Sequence, residues 1–194
     1  MKFFYTWLFI SLGLGIPLSS QTIAHWALSP DHLAEAKTFV DEAIGFPFVR
    51  GNGLSVLSYS GSGVSAQNWP LDAGDDNQVD YYEFGLKSIS GATLELTQLS
   101  FMERRSSSGP LAFRIVYSRD GFATETELAQ VNLPDNINSR SHSFNFHEKI
   151  KDGESLLFRF YASAAQSNSG SWTIRANTLS IAGTAMEACS PPYF

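Results

Sequence analysis

Cysteine is almost absent: Cys189 stands alone among 194 residues. That excludes an internal disulfide framework and any zinc site built on clustered thiolates. Charge is also scarce, at 16% of residues, and 13 Lys and Arg against 19 Asp and Glu give a formal net charge of −6. Such a surface does not attract polyanionic nucleic acid without a concentrated basic patch, and Arg104-Arg105 is the sole adjacent Arg pair. No G-x-S-x-G elbow, H-E-x-x-H helix, P-loop or Gln-x-His strand occurs. The one long apolar run, Phe3 to Ile16, lies at the N-terminus.

That run follows Met1-Lys2 and precedes Pro17-Leu18-Ser19-Ser20, the layout of a signal peptide. It is shorter than the ~20 residues that span a bilayer. Cleavage is expected after Ser20 or after Ala24, with no following cysteine to carry a lipid anchor. The mature chain is then expected to be secreted or periplasmic, without stable membrane insertion. The expected division is a leader over 1–20, one β-sandwich domain over 21–184 and an irregular tail over 185–194, which includes Cys189.

What the chain has in quantity is aromatic and β-forming residues, with 15 Phe and 13% aromatics overall. From Asp80 to Phe122 they recur at every second position. Tyr82, Phe84 and Leu86 alternate with Glu83, Gly85 and Lys87; Phe113, Ile115 and Tyr117 do the same further on. Between them Leu94 and Leu96 fall out of phase with Leu99 and Phe101, so a β-bulge is expected near Thr97-Gln98. These runs read as a three-stranded antiparallel meander. Further strands are expected from Leu54, over Leu128 to Leu133 and Ser141 to His147, around Phe158 and Phe160, and from Trp172 to Ile181, with a second phase slip near Asn177-Thr178. Ser29-Pro30-Asp31-His32 with Leu33, Ala36, Phe39, Val40 and Ala43 fits one short helix or a turn. The fold class is therefore all-β, a jelly-roll-like sandwich of two antiparallel sheets.

The stretch YYEFGLKSISGATLELTQLSFMERRSSSGPLAFRIVYSRDGF resembles the core of exported bacterial jelly-roll modules of the kind found in PEP-CTERM and type IX secretion sorted proteins. The resemblance extends to Val49-Arg50-Gly51-Asn52-Gly53-Leu54, Asn68-Trp69, Phe158-Arg159-Phe160-Tyr161 and Ser171-Trp172-Thr173-Ile174. It implies fold and export, and no single activity. Related modules usually read Trp-x-x-Asp-Asn in the last strand; here the residues are Trp172-Thr173-Ile174-Arg175-Ala176-Asn177, with Ala176 before the Asn and no carboxylate. The final ten residues resemble neither sorting tail.

Three groups of residues offer chemistry. Asp72, Asp75, Asp76 and Asn77, with Asp80, carry the hard oxygen ligands that Ca²⁺ prefers, so a structural calcium ion is one reading and a solvated turn the other. Glu103, Arg104 and Arg105, beside the Ser106 to Gly109 turn, either grip sugar hydroxyls or are structural, with Arg104 pairing with a carboxylate across strands to fix register. Trp69, beside Pro70 at a loop end, is expected at the surface as a stacking platform, with Tyr81 and Tyr161 on the faces opposite Tyr82 and Phe160; Trp26 and Trp172 are expected in the core. His142 and His147 fall on opposite faces of one strand and do not share a metal. Glu83 and Glu103 are the carboxylates nominated for glycoside hydrolysis, on adjacent strands.

These features support a secreted, non-catalytic binding module with an extracellular glycan as default partner. A structural or adhesive envelope domain without small ligand is the alternative. A polysaccharide lyase or hydrolase is the third reading.

Overall fold

The computed structural model describes residues 20–74 and 78–187. The expected leader, Cys189 and the segment 75–77 lie outside the described residues. Thirteen strands are described: β1 Gln21–Trp26, β2 Ala36–Thr38, β3 Ala43–Arg50, β4 Ser58–Ser60, β5 Gly63–Ala66, β6 Tyr81–Ser88, β7 Ala92–Arg105, β8 Ala112–Ser118, β9 Thr126–Asn132, β10 Arg140–Lys151, β11 Ser155–Ser163, β12 Trp172–Arg175 and β13 Leu179–Glu187. They form a sandwich of two antiparallel sheets, as the alternation of side chains demands. The five-stranded sheet runs β3-β6-β11-β8-β9, and the eight-stranded one runs β2-β1-β13-β7-β12-β5-β4 with β10 also on β7. Among the described residues there is no helix; the segment from Ser29 to Ala43 is turns and the short strand β2. Its helical spacing was undone by pairing, because Ala36 to Thr38 take the outer edge of β1.

Strand β7 organises the larger sheet. Leu99 pairs with Phe144 of β10 and with Ile181 of β13, so those two strands occupy its opposite edges. On the β13 edge, β12 takes over at Glu103 to Arg105. The first phase slip is the bulge expected near Thr97-Gln98: Ala182 faces Gln98 while the adjacent Gly183 faces Leu96, which skips Thr97. The second slip is a break between two strands. Asn177 turns at φ 59, and Thr178 Oγ1 accepts from the Met102 amide at 3.0 Å while donating to Arg175 O at 2.8 Å. One hydroxyl thus bridges the gap in the ladder where β12 ends and β13 begins.

The expected meander is corrected. β6 and β8 lie in the five-stranded sheet with β11 between them, and β7 crosses to the other sheet. Period-two alternation reports which face a side chain takes, not which strand lies beside it. The tail boundary also moves, since β13 continues through Ala185 to Glu187.

The inner faces meet in an aromatic layer. Trp172 lies nearly parallel to Tyr82, centroids 5.7 Å apart, and Phe113 stacks on it at 5.2 Å. Trp69 stands edge-on to both Tyr82 at 4.9 Å and Trp172 at 5.7 Å. Trp69 is 1% exposed, so its expected surface position is corrected. Asn68, at φ 67, turns the chain inward just before it. Every indole N–H of the three core tryptophans is satisfied: Trp26 by Phe46 O, Trp69 by Ala66 O and Trp172 by Glu103. Trp26 and Trp172 are buried as expected.

Candidate functional site

The inward phase of β7 does not stop at Phe101. It continues through Glu103 and Arg105, each 0% exposed, and only Arg104 faces outward. The three-residue polar cluster is therefore split between the two faces of one sheet. Arg140, directly opposite Glu103 on β10, grips it with two bonds, Nε to Oε1 at 2.6 Å and Nη2 to Oε2 at 3.1 Å. Trp172 Nε1 donates to the same carboxylate at 2.8 Å, and His142 Nε2 lies 3.3 Å away. Burial pushes the Glu103 carboxyl up. The bonds from His142, Arg140 and Trp172 and the Arg140 charge outweigh it, holding the group below its ordinary range.

Arg105 is likewise consumed inside the fold. It donates to Gly109 O, Ser107 O and Gln166 Oε1 and pairs with Asp135. It thereby closes the Ser106 to Gly109 turn onto the loop after β11. Glu103 and Arg105 are structural anchors at the end of β7, and their expected place on a ligand surface is corrected. Glu83 and Glu103 are not an adjacent pair either: they sit on different sheets, Glu83 bound to Arg159 at 2.7 Å and Glu103 to Arg140.

The outer face of the five-stranded sheet gathers a second set. Antiparallel register places Tyr161 opposite both Tyr81 and Arg114, and Arg159 opposite Glu83. The Tyr81 and Tyr161 rings meet edge-to-face at 6.0 Å. The Arg159 guanidinium lies 3.9 Å from the centroid of Tyr81 and 3.8 Å from that of Phe122, a cation held between two rings. Arg114 lies 5.1 Å over Tyr161 and pairs with Glu125 at 2.8 Å. A hollow of about 220 Å³ opens at the end of this row, lined by Tyr161, Arg114, Gln130, Ser163, Ala112 and Gly74 among others. Tyr161 itself is only 3% exposed, its ring covered by these neighbours, while Tyr81 is half-buried.

Phe122 reaches Arg159 from a stitched turn. Ser118 Oγ accepts from the Asp120 and Phe122 amides and donates to Asp120, whose carboxylate accepts from the amide and hydroxyl of Thr124. Those Thr124 and Ser118 bonds lower the Asp120 carboxyl to about 2. Within the turn Phe122 adopts φ 67, a conformation uncommon for a non-glycine residue. The alternation places Tyr81 and Tyr161 on this outer phase, but the expected stacking surface of Tyr161 is corrected, because its ring is buried by its neighbours. It missed Arg159, Arg114 and Phe122, whose signal was partly there: Arg159 and Arg114 share the phase of Tyr161, and Ser118-Arg119-Asp120-Gly121 is turn chemistry.

The expected calcium ligands Asp75, Asp76 and Asn77 lie outside the described residues. Asp72 is exposed, and among the described residues no group of three or more His, Cys, Asp and Glu side chains is placed to hold a metal ion. Asp80, at the loop's end, is buried against Gly53, where a Cβ would lie 1.8 Å from Oδ1.

No protein-family model matches the chain, and no curated protein matches it. Among solved structures it is similar to family 29 carbohydrate-binding modules. One mutant complexed with mannohexaose is 15% identical over 84% of this chain and 93% of that one, TM-score 0.46. Another, complexed with cellulohexaose, is 15% identical over 84% and 90%, TM-score 0.42. A third structure of that family is 16% identical over 84% and 88%, TM-score 0.42. Likeness of this degree decides neither ligand nor site.

Proposed function

We propose that this chain is a secreted or periplasmic, non-catalytic binding module. Its ligand is an extracellular glycan, held on the outer face of the five-stranded sheet. The observation that carries this reading is the row Phe122, Arg159, Tyr81, Tyr161 and Arg114 on a solvent-facing sheet, ending in a hollow lined with Gln130 and Ser163. Guanidinium, amide and hydroxyl groups match the hydroxyls of a sugar, and the half-buried Tyr81 and Phe122 rings beside them add the apolar surface left uncovered by Arg159.

A second reading has its own observation: Arg159 and Arg114 already hold Glu83 and Glu125, as expected of a structural envelope domain whose polar ladder only fixes register. A glycan array followed by calorimetry separates the two, with cellulohexaose and mannohexaose among the first soluble ligands. Binding that weakens at least tenfold in Tyr81→Ala or Gln130→Ala, with unchanged melting of Gln130→Ala, supports the binding module. No glycan bound anywhere on the array leaves the structural domain.

A further inference from the structure

On the opposite sheet the chain builds a second polar hollow, and we propose that it binds a single oxyanion group, the sulfate ester or carboxylate of an acidic saccharide or a free phosphate. The hollow measures about 210 Å³ and is lined by Arg104, Ser60, Ser62, Ser65, Ser106, Ser171 and Thr173. One cation surrounded by hydroxyls, with no carboxylate in the lining, is the donor set an oxyanion requires.

Register assembles it. Thr173 of β12 lies directly between Arg104 of β7 and Ser65 of β5, all on the outward phase of the eight-stranded sheet. Ser106 and Ser171 are tied together at the adjoining end, the Ser171 amide donating to Ser106 Oγ at 2.9 Å and the Ser106 amide to Ser171 O at 2.9 Å. That acceptance leaves the Ser106 hydroxyl proton free to point into the hollow.

Arg104 is half-buried, yet among the described residues its side chain makes no ion pair and no hydrogen bond, and the hydroxyls of Ser62, Ser65, Ser171 and Thr173 make none either. The contrast along β7 is informative. Arg105, one residue on, uses its guanidinium in four directions. The expected cross-strand carboxylate for Arg104 is corrected: on β12, register places Thr173, a hydroxyl, opposite it. Arg175, two residues along β12 on the same outward phase, does not line the hollow, so Arg104 is its one cation. A chain of net charge −6 has thus collected uncompensated positive charge at one hydroxyl-rich hollow.

This site is independent of the glycan face, and its test separates the two. Sodium sulfate, sodium phosphate, glucuronate and galactose 6-sulfate are titrated into ¹⁵N-labelled protein at constant ionic strength. Saturable amide shifts at Ser65, Ser106 and Thr173 are expected for at least one anion, with galactose and glucose inert. Preference for the sulfated sugar, the uronate or the inorganic ions identifies the source of the oxyanion, and each supports the site. Arg104→Ala should weaken that binding at least tenfold and Arg104→Lys less, both with wild-type melting, since Arg104 holds nothing in the fold. Tyr81→Ala, on the other sheet, should leave it unchanged. Absence of saturable shifts for all four anions, or binding undiminished in Arg104→Ala, would overturn the proposal.

Discussion

Glu103 shows what one position can decide. Its carboxylate sits in the sandwich interior at the point where β10, β12 and the Trp172 indole converge on β7, and it satisfies donors from three residues at once. Glu103→Ala would leave the Arg140 charge and an indole N–H facing a void, a loss of about 3–5 kcal/mol. Glu103→Gln keeps the volume and one acceptor and should cost less; urea denaturation of both variants checks the order. The same group has a pH signature. Its folded pKa is depressed, so the unfolded chain binds the extra proton, and the stability it supplies is present above the ordinary carboxylate range and lost as pH falls through the folded value. Asp120 and Asp135, lowered by their hydrogen bonds to Thr124 and to Arg105, add to that acid loss. Stability measured from pH 5 to pH 2 should fall less steeply in Glu103→Gln than in the native chain; identical slopes would contradict the role assigned to Glu103. Its burial was legible in part. Leu99, Phe101, Glu103 and Arg105 keep one phase, but a carboxylate and a guanidinium are costly to bury, so residue type outweighed phase.

At the scale of the strand, alternation was a sound guide to faces and a poor one to neighbours. It placed Tyr82, Phe84, Phe113 and Ile115 inward and located the bulge at Thr97, because burying one face leaves little freedom in side-chain direction. It could not say that β11, far later in the chain, would insert between β6 and β8, since nothing local encodes a long-range partner. The slip near Asn177 was visible too, but its meaning lay in a tertiary bond. Thr178→Val removes the hydroxyl that serves the Met102 amide and Arg175 O, and should cost about 1–3 kcal/mol. Thr178→Ser should retain most of the stability, and amide exchange at Met102 should quicken in the valine variant only. Equal denaturation midpoints for all three proteins would show that water serves the gap as well as threonine does.

Across the whole molecule, the two sheets have divided the work. Their inner faces share the tryptophan layer and the Glu103 and Arg105 anchors, which lock the end of β7 to β10, β12 and the loop after β11. Their outer faces differ in chemistry: aromatic rings and paired arginines on the five-stranded sheet, hydroxyls around an unpaired arginine on the other. A sequence reader could see the ingredients of both faces, but only the crossing of β7 between sheets sorts Arg104 from Arg159. The most direct measurement is the footprint of a bound glycan, read from amide and side-chain chemical shifts with the tightest ligand found. The account predicts changes centred on Tyr81, Phe122, Gln130, Arg159 and Tyr161. Shifts confined to the eight-stranded sheet or to the strand edges would contradict it.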